Sequence, residues 1–204
     1  MRYGMAIDTK LCFGCTACAV ACKSNNNLPN GVWWNQVHTD GGAYADTAAG
    51  TYPNLTMAHY PVGCQHCANP ACVDVCPTGA SYQREDGIVL VNADECIGCE
   101  SCIQACPYGV RTLNESEPAF AVDFALGDFD APEHRGNTVE KCTFCFNRLD
   151  RGEMPACMEL CPGRARFWGD LDDPESDVSK AIAGRETMRL KEEAGTEPSV
   201  YYLI

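Results

Sequence analysis

The chain has 204 residues, 16 cysteines and a formal net charge of −13 at pH 7. This acidic balance repels phosphate backbones, which excludes nucleic acid as an expected partner. The sequence contains no apolar run of about 18 residues, as a membrane-spanning helix requires, and its N-terminus lacks the apolar stretch of a signal peptide. We therefore expect one or two compact domains without a membrane anchor or export signal of their own.

The first cysteine run follows a predicted strand. Residues 3–7 favour a short strand, and residues 17–23 favour a short helix. Four cysteines around this helix have the spacing C-x2-C-x2-C-x3-C: Cys12, Cys15, Cys18 and Cys22. Residues 25–60 are an insert rich in turn signals, in which residues 33–37 predict a strand. We expect the tryptophan pair of that strand to pack against the protein body or a partner subunit.

Residues 61–111 carry two further cysteine runs. The second run stretches the middle gap to four residues and is followed by proline: Cys64, Cys67, Cys72 and Cys76. The third run has the compact spacing and is also followed by proline: Cys96, Cys99, Cys102 and Cys106. The pattern predicts short helices over 70–76 and 100–106, and a hairpin formed by strands 80–83 and 88–91.

The fourth cysteine run follows an acidic, turn-rich insert at 112–137. Its middle gap is eleven residues long: Cys142, Cys145, Cys157 and Cys161. A helix is predicted over 155–161 and a closing strand over 165–168. These segments complete the part of the chain that contains cysteine.

The C-terminal tail has no candidate metal ligand, and we expect it to clamp the fold or to dock a partner. Asp173 is the predicted N-cap of a helix that has Pro174 in its first turn and ends near Ile182. A second helix is predicted over 186–193, and a final strand over 200–204.

The four runs use every cysteine in the chain. Three thiolates separated by two residues can surround one face of a [4Fe–4S] cluster, as in bacterial ferredoxins. Zinc is one alternative, since sixteen thiolates could form four tetrahedral sites, but a zinc knuckle uses two cysteines and would leave the third surplus. Disulfides are another, but cysteines three apart on tight turns are poor partners for each other. We therefore interpret the runs as iron–sulfur ligands.

In two-cluster ferredoxins the fourth cysteine of each run binds the neighbouring cluster. Applied here, this rule predicts four ligand sets and assigns no catalytic residue. Cluster a takes Cys12, Cys15, Cys18 and Cys161. Cluster b takes Cys22, Cys142, Cys145 and Cys157. The inner clusters c and d take, respectively, Cys64, Cys67, Cys72 and Cys106, and Cys76, Cys96, Cys99 and Cys102.

The ligand sets predict an α+β fold made of two bacterial-type 2[4Fe–4S] ferredoxin units, one inserted within the other. The outer unit comprises residues 1–24 and 138–170, and the inner unit comprises residues 61–111. The remaining segments are two loop inserts and a helical C-terminal tail: residues 25–60, 112–137 and 171–204.

Several strings outside the spacing pattern have a recognisable form. They are Cys-Gln-His-Cys-Ala-Asn-Pro-Ala-Cys at 64–72, Cys-Pro-Tyr-Gly at 106–109, the segment 166–175 and the Pro-Ser-Val-Tyr-Tyr ending at 198–202. With the order and gaps of the runs, they resemble the iron–sulfur subunit of the dimethyl sulfoxide reductase family, in its shorter polysulfide, thiosulfate and arsenate reductase type. All four cysteines are present in the third run, whereas the nitrate reductase branch of that family has tryptophan at one position and holds a [3Fe–4S] cluster.

The resemblance implies an electron-transfer subunit with four [4Fe–4S] clusters that is not an enzyme on its own. Its implied partners are a large catalytic subunit with a molybdenum or tungsten bis-pterin centre and, in many members, a quinol-reacting membrane subunit. It implies an extracytoplasmic, membrane-associated location, reached by export with a twin-arginine partner; the alternative is cytoplasmic. The alternative function is an independent soluble polyferredoxin, but the two inserts and the tail exceed what a free ferredoxin needs.

Some polar residues lie beside the cysteine runs. His66 lies between two cysteines of the second run, and we expect it to hydrogen-bond nearby rather than to bind iron. Positive charge close to a cluster raises its reduction potential. Four cations are candidates for this effect, and a solvated surface position is the alternative for each: Arg111, Lys141, Arg148 and Arg164.

Overall fold

The structure, a computed structural model, describes residues 1–42 and 46–204. Residues 43–45, which belong to the predicted insert at 25–60, lie outside the described residues. The described strands are β1 (Tyr3–Asp8), β2 (Asn35–Thr39), β3 (Ala49–Thr51), β4 (Asn54–Thr56), β5 (His59–Gly63), β6 (Ser81–Gln83), β7 (Val89–Val91), β8 (Thr112–Asn114), β9 (Thr138–Glu140), β10 (Arg166–Asp170), β11 (Thr187–Met188) and β12 (Val200–Leu203). The described α-helices are α1 (Ala17–Asn25), α2 (Ala71–Asp74), α3 (Ser101–Ala105), α4 (Phe146–Asp150), α5 (Ala156–Glu159) and α6 (Asp177–Ile182).

Strands from both ends of the chain form the largest described sheet, in the order β10-β1-β12-β11. Strand β1 is antiparallel to β10, with Met5 opposite Trp168, and parallel to β12, with Met5 opposite Val200. The sequence-based predictions of β1, β10 and β12 are confirmed. The tail is therefore part of the central sheet, and it contributes strands as well as a helix.

Buried side chains alternate along β1 between the two faces of this sheet, as the period of a strand requires. The larger cluster draws on four separate parts of the chain: Met5, Ile7, Ile88, Leu90, Phe144, Leu149, Val200 and Tyr202. On the other face, Ala6 packs with Val178 of α6 and Leu203 of β12. One apolar core thus joins the N-terminal strand, the β6–β7 hairpin, the fourth cysteine run and the tail.

The other described strands form two-stranded sheets around this core. The predicted hairpin is confirmed, because β6 and β7 pair across the turn at residues 85–87. Strand β2 begins only at Asn35 and pairs with β5, so the tryptophan pair lies just before the strand rather than inside it. Trp34 is buried and its ring centroid lies 5.8 Å from that of His134, as the packing expectation requires. Trp33 is partly exposed.

Proline controls where the helices of the cysteine runs end. Helices α2, α3 and α5 end one or two residues before the fourth cysteine, earlier than predicted. In each case this cysteine precedes a proline, which disfavours helical backbone in the residue before it; Cys106, for example, has the extended angles φ −79° and ψ 113°. Lys23 stands at the corresponding position in the first run, so α1 continues through Cys22 to Asn25.

Two predictions for the tail are wrong. Helix α6 begins after Ser176, whose hydroxyl accepts a hydrogen bond from the Ser179 N–H at 3.2 Å. The Asp173 carboxylate accepts from the Glu175 N–H at 2.9 Å and closes the preceding turn instead. The helix predicted over 186–193 is replaced by β11 and a short 3-10 helix (Glu192–Ala194), because pairing with the sheet edge outweighs the local helix propensity of these residues.

Candidate metal centres

Four cavities in the described part of the chain are each lined by at least four cysteines. Cavity A is lined by Cys12, Cys15, Cys18 and Cys161. Cavity B is lined by Cys22, Cys142, Cys145 and Cys157, and Cys64 also reaches it. Cavity C is lined by Cys64, Cys67, Cys72 and Cys106, and cavity D by Cys76, Cys96, Cys99 and Cys102. Each cavity takes three cysteines from one run and the fourth cysteine of another run, and cavity B has Cys64 in addition.

The approach of two helix pairs explains this grouping. Helix α1 lies against α5, and α2 lies against α3. The fourth cysteine of each run lies within or just beyond one of these helices, and therefore reaches the cavity that the other run begins. All sixteen cysteines are free thiols in the structure. The grouping agrees with the sets that the crossing rule gives, but which sulfur binds which cluster stays a prediction.

A left-handed residue turns the backbone at the same position in every run. The residue immediately before the second cysteine has a positive φ in all four runs: Gly14 (72°), His66 (42°), Gly98 (66°) and Phe144 (57°). Such a turn brings two cysteines close in sequence to one cavity and points backbone N–H groups inward, which suits an anionic ligand. Glycine is also required sterically at Gly98, because a Cβ there would collide with Asn137.

Hydrogen bonds reach at least one cysteine sulfur in every run. Ser81 N lies 3.3 Å from Cys76 Sγ, and Val139 N lies 3.4 Å from Cys96 Sγ. In the fourth run the backbone N–H groups of Phe144 and Ala165 donate at 3.4 Å each: to Cys142 Sγ and Cys161 Sγ. In the first run the side-chain amide of Asn26 donates to Cys22 Sγ at 3.6 Å. Hydrogen bonds to sulfur favour the thiolate and raise the reduction potential of a bound cluster.

Burial opposes ionisation of the thiols when no cluster compensates for it. Burial and the neighbouring thiols raise the pKa values of Cys142 and Cys145 to about 12. Burial would also raise the pKa of Cys64, but the adjacent His66 and Lys141 side chains lower it to about 5. A metal bound at cavity B would therefore displace protons from these thiols.

Comparison with known proteins agrees with this arrangement of cysteines. The profile of the 4Fe-4S dicluster domain family matches residues 55–122 and 129–171. A putative iron–sulfur subunit of dimethyl sulfoxide reductase from Halobacterium salinarum is 47% identical over 99% of this chain and 79% of its own length. The arsenate respiratory reductase iron–sulfur subunit of a Shewanella species is 40% identical over 100% of this chain and 96% of its own. One chain of the polysulfide reductase of Wolinella succinogenes is 41% identical over 98% and 93%, respectively.

The chain belongs to the iron–sulfur subunits of the dimethyl sulfoxide reductase family. It is therefore an electron-transfer subunit of a reductase complex and not the catalytic chain. Across the described residues of this iron–sulfur subunit, none of the helices has the length and apolar character needed to cross a bilayer.

The hydrogen bond expected for His66 of this iron–sulfur subunit is confirmed. Its Nδ1 accepts from the Val89 N–H at 3.1 Å, and its ring centroid lies 5.1 Å from that of Phe144. Both rings are buried. The side chain therefore helps to hold the second and fourth cysteine runs together.

The candidate cations of the iron–sulfur subunit divide into two groups. Arg111 and Lys141 are buried, which contradicts a solvated surface position for these two. Arg164 is exposed, whereas Arg148 is partly buried and pairs with Asp128, Glu153 and Glu159. Sequence reasoning missed a third buried cation, Arg166. This residue begins β10, two residues after the left-handed Arg164, and the alternation of side chains along a strand directs it inward. The alternation was the signal that could have found it.

Proposed function

We propose that the subunit holds four [4Fe–4S] clusters, with the ligand sets a, b, c and d in cavities A, B, C and D. The observation that carries this proposal is that each cavity collects three cysteines of one run and the fourth cysteine of another, with Cys64 as an additional lining residue of cavity B. The donor set fits the group, because such a cluster is bound by four cysteine thiolates. Among the described residues, no three Cys, His, Asp or Glu side chains form a site for a single metal ion.

The same cavities support the nested arrangement of two ferredoxin units. Cavities A and B draw on the first and fourth cysteine runs, which belong to residues 1–24 and 138–170. Cavities C and D draw on the runs within residues 61–111. The inner unit would thus be inserted in the outer one, with residues 25–60 and 112–137 as inserts and residues 171–204 as the tail.

Shared lining residues support a single row of clusters in the order a, b, c, d. Arg166 lines cavities A and B, and Cys64 lines cavities B and C. Arg111 lines cavity C and its guanidinium donates to Ser81, which lines cavity D. Bound clusters supply one-electron redox couples. The chain separates them from water in the middle of the row, while Cys15 in cavity A and Cys99 in cavity D are exposed at its two ends.

The partners at the two ends of the row are a catalytic subunit with a molybdenum or tungsten bis-pterin centre and a quinol-reacting membrane subunit or another electron donor. The three relatives are named as subunits or chains of reductases, which supports a catalytic partner for this subunit. Export of the folded subunit together with a partner that carries a twin-arginine signal would place it outside the cytoplasm. This location and both partners are part of the proposal.

Exposed apolar side chains on the two inserts provide a docking surface for the catalytic subunit. They are Tyr52, Leu55, Met57, Phe124, Leu126 and Phe129. Phe129 is 88% exposed, and large apolar side chains exposed in number on a surface favour a protein contact. Replacing Phe124 and Phe129 with serine should abolish copurification of a large subunit from the native host. Met154→Ser, at an exposed position outside the inserts, is the matched control.

The alternative function, an independent soluble polyferredoxin, predicts a different result. The unmodified chain would then copurify with no partner, be stable alone and contain all four clusters.

Metal analysis of protein purified without oxygen tests the cluster content. The proposal predicts about sixteen iron atoms and about sixteen acid-labile sulfides per chain, four of each for every cluster. A preparation rich in zinc and poor in iron would overturn it. About half the iron would mean that one of the two ferredoxin units is not loaded.

A further inference from the structure

Three cationic side chains are buried between the cysteine-lined cavities. Lys141, Arg111 and Arg166 are 3%, 5% and 6% exposed, respectively. In the part of the chain that the structure describes, no carboxylate forms an ion pair with any of them. A buried charge without a counter-charge is strongly destabilising. The anionic partner must therefore be something other than a carboxylate, and the cysteine sulfurs are the groups that lie nearby.

Arg166 lies between cavities A and B and lines both. Its Nη1 lies 3.5 Å from Cys157 Sγ, and Nη2 lies 3.4 Å from Asn35 Oδ1. The neighbouring thiols raise the pKa of this guanidinium although burial opposes the charge. Arg166 is thus a fixed positive charge that faces cysteines of two cavities.

Lys141 occupies the equivalent position between cavities B and C. Its Nζ donates a hydrogen bond to the Cys142 carbonyl at 2.9 Å and another to the Val89 carbonyl. Cys142 lines cavity B and Val89 lines cavity C. The ammonium group therefore bridges the walls of the two central cavities.

Arg111 lies between cavities C and D. Its Nη2 donates to Cys72 Sγ at 2.9 Å, and its Nη1 donates to Ser81 Oγ at 2.9 Å. Cys72 lines cavity C, whereas Ser81 lines cavity D and donates its own N–H to Cys76 Sγ at 3.3 Å. Each of the three gaps in the row of cavities thus contains one buried cation.

We propose that Arg166, Lys141 and Arg111 each raise the reduction potentials of the two clusters that flank them. This inference rests on the proposed four-cluster assignment. An electron arriving at one cluster adds a negative charge, which repels a second electron at the neighbouring cluster. In a low-dielectric interior that repulsion is strong, and a cation held between the two clusters offsets it for both. The row can then carry more than one electron at a time.

Redox titration of the holoprotein, followed by electron paramagnetic resonance, tests the proposal. Arg166→Gln should make reduction less favourable by about tenfold, equivalent to 59 mV for a one-electron couple, at two of the four clusters. Arg111→Gln should shift the other two clusters, because Arg166 lies between cavities A and B and Arg111 lies between cavities C and D. Arg166→Lys and Arg111→Lys keep the charge and should restore most of each shift.

Arg189→Gln is the matched control. Arg189 is partly exposed, pairs with Glu192 at 2.7 Å and lines none of the four cavities. Its removal should leave all four potentials unchanged. It therefore measures what the loss of a positive charge does when that charge is not between clusters.

The outcomes separate this inference from the cluster assignment. Four clusters with unchanged potentials in both glutamine variants would overturn the inference and leave the assignment standing. A shift at a single cluster per variant would overturn the sharing of each cation between two clusters. Fewer than four clusters in the unmodified protein would overturn the assignment itself. If Arg166→Gln fails to bind its full iron, the Arg111→Gln and Arg111→Lys pair decides the question at the other end of the row.

Discussion

At the scale of single residues, the turn before the second cysteine is formed in two chemically different ways. The compact runs use glycine, Gly14 and Gly98, which adopts a positive φ without strain. The stretched runs use His66 and Phe144, for which this conformation is uncommon. Burial of the two rings against each other offsets that strain. The stretched runs thus place bulky side chains between the second and fourth cysteine runs, whereas in the compact runs a neighbouring residue leaves no room for a Cβ.

Gly98→Ala should damage cavity D selectively. The left-handed conformation costs an alanine about 1–2 kcal/mol, and its Cβ would also collide with Asn137. We expect a lower thermal unfolding midpoint and loss of about a quarter of the iron, one cluster of four. Anaerobic thermal denaturation and iron analysis measure the two effects.

Gly152→Ala is the control for this substitution. Gly152 has a similar φ of 78°, but nothing lies within 4 Å of the added Cβ. It should lose only the conformational part of the stability and keep all of its iron. Equal iron loss in the two variants would contradict a specific role for the turn at Gly98.

At the scale of elements, strand β12 shows how the C-terminal segment is attached to the rest of the fold. Tyr202 is fully buried, and its hydroxyl donates to the Pro61 carbonyl in β5 at 2.9 Å. Burial raises the pKa of Tyr202, so the hydroxyl remains a donor at physiological pH. The hydrogen bond therefore connects the last described strand to the strand that precedes the second cysteine run.

Tyr202→Phe should destabilise the protein by about 1–2 kcal/mol, because it leaves the buried Pro61 carbonyl without its partner. Tyr201→Phe on the same strand is the matched control, since Tyr201 is less buried and its ring lies under the Arg189 guanidinium, which phenylalanine preserves. Anaerobic thermal unfolding compares them. Equal midpoints in the two variants would show that the hydrogen bond contributes nothing.

Local sequence signals predicted the elements beside the cysteines and failed where long-range pairing decides. The β6–β7 hairpin has its own turn at residues 85–87, and it was predicted correctly. Helix α4 was missed, since it starts from left-handed backbone at Phe144 and Cys145, for which those residue types give no signal. Strand β11 was predicted as helix because its pairing with β12 depends on the whole sheet. The position of Arg166 between two cavities likewise depends on contacts with residues distant in sequence, Met5 and Asn35.

At the scale of the whole molecule, the spacing of the cysteines contained most of the information about the site. The four runs and the crossing rule give the groups of cysteines that line the cavities of the folded chain, except that Cys64 lines both cavity B and cavity C. What spacing could not provide is the order of the cavities and the cations between them. These depend on how β1, the β6–β7 hairpin and the fourth run pack around one core.

Paired serine variants test the crossed assignment in solution. If Cys22 completes cluster b, Cys22→Ser and Cys157→Ser should alter the same paramagnetic signal, because both remove a ligand of that cluster. Cys18→Ser should alter a different signal, that of cluster a, although Cys18 and Cys22 lie on the same helix. Electron paramagnetic resonance of the reduced proteins distinguishes the patterns. Pairing of the Cys22 effect with that of Cys18 would indicate local ligation instead.

The most direct test of the account is a crystal structure of the anaerobically purified protein with iron located by anomalous scattering. Crossed ligation predicts four separate iron clusters, with Cys22 Sγ bonded to the cluster that also binds Cys142, Cys145 and Cys157. It also predicts Cys161 Sγ on the cluster of Cys12. A Cys22 sulfur bonded to the same cluster as Cys12 would contradict the crossed, nested arrangement.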